Sequence, residues 1–264
     1  MEGERLGVIG GTGVAQFAAF CDWSYKIIST PYGEAVACEG ELAGIPTFFL
    51  PRHGPQHNIP PHLINYRANI TALKALGVRT AIGISAVGSI NNVITPGMLA
   101  ILSDFIDFTK NRAFTFYDGG ATGVVHTDFS QPYCPKVSES LISAGKELGI
   151  DIRRNCVYIC VEGPRYETSA EIRMFRQWGA DVVGMTNVPE VTLAREAGIC
   201  YGGLAVITNF AAGISPTPLS HEEVVAAMKM ADDKITPILI SAARLISEGS
   251  VCTSCFTSIT DKEN

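Results

Sequence analysis

A strand-like apolar run leads directly into a glycine-rich turn in the segment Leu6-Gly7-Val8-Ile9-Gly10-Gly11-Thr12-Gly13. Comparable runs rich in β-branched residues recur at positions 46–50, 80–84, 99–105, 156–161, 182–185 and 202–208. Helical periodicity separates them at positions 63–76, 138–148, 169–178, 188–197 and 221–247. This alternation predicts an α/β fold with a largely buried sheet.

The chain shows no internal repeat, low-complexity tract or long linker, so we predict a single domain over residues 1–264. The polar stretch from about residue 253 to 264 is predicted to be a flexible, frayed tail. With 264 residues, 47% of them hydrophobic, the chain can bury a substantial core.

The formal charge of −6 argues against a general nucleic-acid or membrane-surface binder, because such proteins neutralise phosphate with basic patches. Any anion must therefore be held by a local site. The first five residues, MEGER, lack a basic region followed by an apolar run, and no stretch of about 20 apolar residues follows. We therefore expect a cytoplasmic protein.

The loop after the first apolar run is a candidate anion site. Its glycines allow backbone N–H groups to converge on an anion, and the Thr12 hydroxyl adds a donor. A tight turn that simply needs glycine is the structural alternative. A dinucleotide site is disfavoured, because Gln16 stands where its third glycine would be.

Three further segments place small or polar residues after predicted strands, where α/β folds bind ligands. They are Arg52-His53-Gly54, Ser85-Ala86-Val87-Gly88-Ser89 and Met185-Thr186-Asn187. The Arg52 guanidinium suits phosphate oxygens, and a neighbouring imidazole can add a donor.

A metal site is a second possibility around His53, because His57 and His62 are close in sequence. The intervening prolines prevent a shared helical face, and neither a carboxylate nor a thiolate completes the set, so we expect no metal there. Of the eight scattered cysteines, only Cys252 and Cys255 form a CxxC. That pair lacks the second pair of a zinc ribbon, so we interpret it as incidental, with a redox or tail-stapling disulfide as the alternative.

Several motifs occur in a fixed order along the chain: Gly-Gly-Thr-Gly (10–13), Arg-His-Gly (52–54), Ser-Ala-Val-Gly-Ser (85–89), Val-Glu-Gly-Pro-Arg-Tyr-Glu-Thr (161–168), Gly-Ala-Asp-Val-Val-Gly-Met-Thr-Asn-Val-Pro-Glu (179–190) and Thr-Asn (208–209). Together they resemble the trimeric purine nucleoside phosphorylase and methylthioadenosine phosphorylase family. The resemblance runs from about Leu6 to the helix after His221. It implies a single α/β domain with a mixed, barrel-like central sheet flanked by helices.

By position, the resemblance implies a phosphate site formed by Thr12, Arg52, His53, Thr186 and the backbone of Ala86. Inorganic phosphate would be a co-substrate, and no cofactor or metal would be needed.

The same resemblance implies that Met185 lies against the ribose and that Tyr166 and Val183 line the base pocket. It also implies a homotrimer, or a homohexamer of two trimers, in which His126 reaches a neighbouring subunit's site. An exposed loop histidine is the alternative for His126.

Two polar positions indicate which purine base is bound. A 6-oxopurine presents an N1–H donor and an O6 acceptor, which suit the carboxylate of Glu167 and the carboxamide of Asn209. In the adenine-cleaving members of the family that the chain resembles, a serine and an aspartate stand at these positions instead. Glu167 could instead favour a helix start, and Asn209 could be a turn residue. The pair predicts purine salvage by phosphorolysis of inosine and guanosine, with Asn209 and Glu167 catalytic.

The 5′ end of the sugar is predicted from His221, which resembles a histidine placed near the 5′-hydroxyl in the family. Val224 and Val225 could instead accept a methylthio group, so S-methyl-5′-thioinosine and S-methyl-5′-thioadenosine are alternative substrates.

A nucleoside hydrolase would not need the anion site, and a non-catalytic nucleoside-binding protein would keep the pocket without turnover.

Overall fold

The computed structural model describes residues 4–14, 23–214 and 218–249, together with Cys252 and Cys255. The strands of these residues are β1 (Leu6–Gly10), β2 (Ser24–Thr30), β3 (Gly33–Leu42), β4 (Ile45–Pro51), β5 (Thr80–Ser89), β6 (Leu99–Phe108), β7 (Ile152–Val161), β8 (Val182–Gly184) and β9 (Cys200–Phe210). The helices are α1 (Tyr66–Ala75), α2 (Pro135–Glu147), α3 (Ser169–Gln177), α4 (Asn187–Glu196) and α5 (His221–Glu248). They form a single α/β domain.

The nine strands form one mixed sheet in the order β2-β3-β4-β1-β5-β8-β7-β6-β9. A further pairing between β5 and β9 closes the last five strands into a barrel. Strand β5 also pairs in parallel with β1, which pairs in parallel with β4. The carboxyl ends of β1, β4, β5 and β9 therefore meet at one edge, which is where α/β sheets bind ligands. The expected mixed, barrel-like sheet is confirmed.

The helices cover the two faces of the sheet. Apolar side chains of α2 and α5 pack in one core cluster, which includes Leu141 and Ile235, and those of α1 and α4 pack in another, which includes Ile70 and Val191. Thr168 caps α3 in a reciprocal capping box with Glu171, at the start that the sequence indicated. All five predicted helices are present, with their ends shifted by at most three residues.

The largest differences from the predicted strands concern the hairpin of β2 and β3 and the length of β5. The hairpin of β2 and β3 was not predicted, because β2 is mostly exposed and carries no alternating apolar pattern. It is stabilised instead by the pairing of β3 with β4. Strand β5 continues to Ser89 rather than ending at Ile84, so the small residues 85–89 belong to the barrel wall.

No helix among the described residues has the length and apolar character required to cross a bilayer. Most of the predicted tail, 253–264, lies outside the described residues. Within it, Cys255 is described, and it is buried.

Candidate active site

A cavity of about 600 Å³ opens where the carboxyl ends of β1, β4, β5 and β9 meet the residues that follow β8 and the first turn of α5. Eleven of the twelve predicted site residues line it: Thr12, Arg52, His53, Ala86, Tyr166, Glu167, Val183, Met185, Thr186, Asn209 and His221. His126 lies elsewhere, exposed in the segment between β6 and α2.

Arg52 is anchored beneath the cavity by a buried ion pair. Its Nε and Nη2 donate to the two carboxylate oxygens of Glu190 at 2.6 and 2.7 Å, and both side chains are 1% exposed. Its Nη1 donates to the Ile84 carbonyl at 3.0 Å, and Nη2 also reaches the Ile9 carbonyl at 3.4 Å. Burial alone would lower the pKa of Arg52, but the charge and hydrogen bonds of Glu190 raise it above its ordinary value.

These bonds occupy four of the five N–H groups that a guanidinium offers. Nη1 keeps one further N–H and lies close to Gly11, where an added Cβ would be 3.1 Å from Nη1. Glycine at position 11 keeps this space open. Arg52 can therefore give an anion one hydrogen bond and a fixed positive charge, rather than a two-pronged contact.

A buried hydroxyl network extends from Glu190 to the backbone of Thr186, which lines the cavity. Tyr201 donates to Glu190 at 2.6 Å and accepts from the Asn187 side chain at 3.3 Å. The Tyr158 hydroxyl accepts from the backbone N–H groups of Thr186 and Asn187 at 3.1 and 3.4 Å. The network fixes the backbone at Thr186, whose own side chain makes no helix-capping bond.

Glu190 and Tyr158 had no role assigned from sequence. The available signal was a carboxylate inside α4, a helix whose residues are all at least half-buried. A buried carboxylate needs a charged partner, and Arg52 is that partner.

Ser85 is a third residue without a role assigned from sequence. It lines the cavity from β5, and its buried Oγ makes no hydrogen bond to any described residue. An unpaired buried hydroxyl is costly unless a ligand satisfies it. Ser85 therefore adds a donor beside Ala86, where only a backbone contribution was expected.

Three histidines form a row along one side of the cavity. The ring centroids of His53 and His57 are 4.7 Å apart, and those of His57 and His221 are 6.2 Å apart. The Nε2 of His57 is 3.2 Å from the Thr12 hydroxyl. His57 has a φ of 52°, in the left-handed region, which is unfavourable for a histidine and is often found at functional sites.

The protonation state of His53 follows from its contacts. Its Nδ1 lies 2.7 Å from the Ile59 carbonyl and must donate to it, so Nε2 is left on the Gly11 side. Burial lowers the pKa of His53 and the charge of Arg52 acts in the same direction, while the bond to Ile59 opposes them, and the net pKa is about 4. At neutral pH His53 is therefore neutral and offers Nε2 as an acceptor, not as the donor suggested by the sequence.

Glu167 and Asn209 also line this cavity. A β-bulge between Val87 and Gly88 of β5 and their partners in β9 inserts Thr208 as an extra residue, and a bulge re-aims the side chains beside it. The Thr208 hydroxyl donates to Asn209 Oδ1 at 2.8 Å, and Asn209 Nδ2 donates to the Phe210 carbonyl at 2.9 Å. These bonds orient the carboxamide and leave it one further N–H.

Glu167 precedes the Thr168 cap of α3 and is buried. Desolvation raises its pKa, with a smaller contribution from the charge of Glu171. The helix-start role suggested as an alternative for Glu167 is filled by Thr168 and Glu171 instead. The Glu167 carboxylate is thus available to a ligand in the cavity.

Comparisons with known proteins agree with this arrangement. The phosphorylase superfamily matches residues 5–244. A probable 6-oxopurine nucleoside phosphorylase of Moorella thermoacetica is 51% identical over 238 residues, which cover 90% of this chain and 92% of the relative. The 6-oxopurine nucleoside phosphorylase of Pyrococcus furiosus is 46% identical over 253 residues, covering 94% and 95%.

A solved structure, methylthioadenosine phosphorylase from Schistosoma mansoni in complex with adenine, superimposes with a TM-score of 0.91 at 30% identity, covering 98% of this chain and 99% of that one. The sequence match, the closed barrel and the cavity at its edge lead to the same assignment. The chain belongs to the phosphorylase superfamily and is a nucleoside phosphorylase.

Proposed function

We propose that this enzyme cleaves 6-oxopurine nucleosides, inosine and guanosine, with inorganic phosphate, giving the free base and ribose 1-phosphate in purine salvage. The observation that carries the proposal is the pairing, in one cavity, of Glu167 and Asn209 with a separate group of anion-binding residues. The two relatives named as 6-oxopurine nucleoside phosphorylases, at 51% and 46% identity, support the same base.

The anion-binding group holds the phosphate. Thr12, Ser85 and Thr186 supply hydroxyl donors, and Arg52 supplies one N–H and a positive charge. Neutral His53 accepts the one hydroxyl proton of the phosphate dianion through Nε2. Phosphate is thereby held as a dianion, which is the charge that best stabilises a cationic sugar. The backbone of Ala86 completes the site.

The other residues bind the nucleoside. Met185 contacts the ribose, while Tyr166 and Val183 contact the base. Glu167 accepts a hydrogen bond from N1–H, and also from the 2-amino group of guanine. Asn209 donates its remaining N–H to O6 or N7.

Catalysis follows from charge separation. As the glycosidic bond lengthens, positive charge builds on the ribose above the phosphate and negative charge builds on the purine beside Asn209. Interactions that strengthen with this charge lower the barrier. Phosphate is itself the nucleophile, so we propose that the reaction uses no cofactor, no metal and no nucleophilic side chain.

The 5′ end of the sugar is the less defined part of the substrate. His221 lines the cavity at the start of α5 and suits a 5′-hydroxyl. Val224 lines the same cavity and is apolar, which favours S-methyl-5′-thioinosine as a second candidate substrate. S-methyl-5′-thioadenosine fits this end as well, but its adenine lacks the N1–H that Glu167 would accept.

The assembly we propose is a homotrimer or a homohexamer in the cytoplasm, with His126 entering the site of a neighbouring subunit. The exposed position of His126, outside the cavity of its own chain, supports this role.

The base-recognition proposal is tested with Glu167→Gln, which keeps the size of the side chain and removes its charge. A hydrogen bond to a charged group contributes about 1.5–3 kcal/mol, so kcat/KM for inosine and guanosine should fall about 10- to 150-fold. Glu171→Gln is the matched control, because Glu171 caps the same helix and should leave kcat/KM nearly unchanged. Equal kcat/KM in wild type and Glu167→Gln would remove Glu167 from base recognition.

The role of Asn209 is tested with Asn209→Ala. We expect kcat to fall by about 10²-fold or more, by analogy with a lost oxyanion donor, with little change in phosphate binding. Phosphorolysis at nearly the wild-type rate would show that Asn209 does not stabilise the departing base.

A further inference from the structure

Four cysteines that are distant in sequence converge on the side of the sheet covered by α2 and α5. Cys134 is the N-cap residue of α2, Cys200 begins β9, and Cys252 and Cys255 follow α5. All four are buried, and their Sγ atoms all lie within 4.8 Å of one another. The CxxC therefore meets a second pair in space, which the sequence did not reveal.

The first pair is fixed by backbone hydrogen bonds. The N–H of Cys134 donates to the Tyr201 carbonyl at 2.8 Å, which ties α2 to the residue next to Cys200. The N–H of Cys200 donates to the Arg79 carbonyl at 2.8 Å, just before β5. Cys134 and Cys200 are thus held by the regular elements of the fold, and the CxxC closes over them.

We propose that these four cysteines bind a structural Zn²⁺ ion as a tetrathiolate site. A tetrahedral site with Zn–S bonds of about 2.3 Å separates its sulfur atoms by about 3.8 Å. The Sγ atoms of Cys252 and Cys255 are 3.5 Å apart, and no two of the four Sγ atoms are more than 4.8 Å apart. Zinc binding therefore requires the sulfur atoms to move by only about 1 Å. Four protein thiolates leave no open position on the ion, which is typical of structural rather than catalytic zinc.

The surroundings can accommodate the charge of such a site, which is −2 for four thiolates and Zn²⁺. Cys134 stands at the N-terminus of the 13-residue helix α2, where partial positive charge stabilises a thiolate. Arg79 and Lys136 line a cavity of about 330 Å³ beside Cys134, Cys200 and Cys252. Glu4 and Glu139 line it too, so the basic residues are not the only charges there. This cavity also offers the ion a path of entry.

The consequence for the fold is a cross-link. The ion would fasten the segment after α5 to the start of α2 and the start of β9. Because α5 begins with His221 at the catalytic cavity, the cross-link would stabilise the helix that closes the nucleoside site. It takes no part in phosphorolysis.

The test is made on the full chain, purified with a reductant and without a chelator. Elemental analysis should find about one zinc per chain. Zinc should be released on titration with a mercurial reagent, and cobalt reconstitution should give the intense visible bands of a tetrahedral tetrathiolate. After denaturation in EDTA without reductant, all eight cysteines should react as thiols.

Cys252→Ser/Cys255→Ser should lose the zinc and melt at a lower temperature, while the catalytic constants at 25 °C change little. Cys38→Ala is the matched control, since Cys38 is a buried cysteine of β3 outside the cluster, and it should keep the zinc. The proposal would be overturned if the wild-type protein contained no zinc and could not take up zinc or cobalt. This holds both when all eight thiols are reactive and when four of them are consumed in two disulfides. Zinc retained by the double variant would also overturn it.

Discussion

The buried pair of Arg52 and Glu190 gives a prediction whose size follows from the structure. Glu190→Gln keeps the shape of the side chain but removes its charge, leaving the 1% exposed guanidinium without its carboxylate. Breaking a buried ion pair from one side costs about 3–5 kcal/mol, because the other charge stays desolvated. For a domain of this size each kcal/mol lowers Tm by about 2–4 °C, so we expect Tm to fall by about 6–20 °C.

The assay is a thermal melt followed by circular dichroism at one protein concentration. Glu139→Gln is the matched control, because Glu139 also pairs with an arginine, Arg154, but the two side chains are 60% and 55% exposed. An exposed pair contributes at most about 1 kcal/mol, so the control should shift Tm by no more than a few degrees. The reasoning is refuted if Glu190→Gln and Glu139→Gln melt alike.

Three more outcomes are expected. Ser85→Ala removes an unpaired donor from the anion site and should raise KM for phosphate about 10-fold or more with little change in kcat; an unchanged KM in a phosphate titration would exclude Ser85 from that site. The pKa of His53 is about 4 in the folded chain and about 6.5 in the unfolded chain, so between these pH values the unfolded chain binds more protons. The free energy of unfolding should therefore fall by at most about 3 kcal/mol as the pH drops from 6.5 to 4. Urea denaturation at pH 7 and pH 4.5 should show this loss and a smaller one in His53→Asn, and equal losses would contradict the assignment. Thr208→Val removes the hydroxyl that orients the Asn209 carboxamide and should lower kcat about 10-fold with an unchanged KM for phosphate; wild-type kcat in steady-state assays would rule out the positioning role.

Much of the fold could be predicted from the sequence, because buried strands and amphipathic helices have local apolar patterns. The hairpin of β2 and β3 could not, since exposed β2 depends on its pairing with β3 rather than on a pattern of its own.

The residues that line the cavity could be predicted from the sequence where motifs carried them, as for Thr12 and Asn209. Their supporting groups could not. The pairing of Glu190 with Arg52 joins residues 138 positions apart, and the protonation state of His53 depends on its burial and on a carbonyl six residues away. The four-cysteine cluster could not be predicted for the same reason, because only the closed barrel and α5 bring its two pairs together.

The most direct test of the proposed function measures free base released from inosine, guanosine and adenosine by the purified wild-type enzyme, with and without phosphate. We predict release of hypoxanthine and guanine only when phosphate is present, with ribose 1-phosphate formed in equal amount and adenosine cleaved far more slowly. Release of base without phosphate, or cleavage of adenosine alone, would contradict 6-oxopurine phosphorolysis.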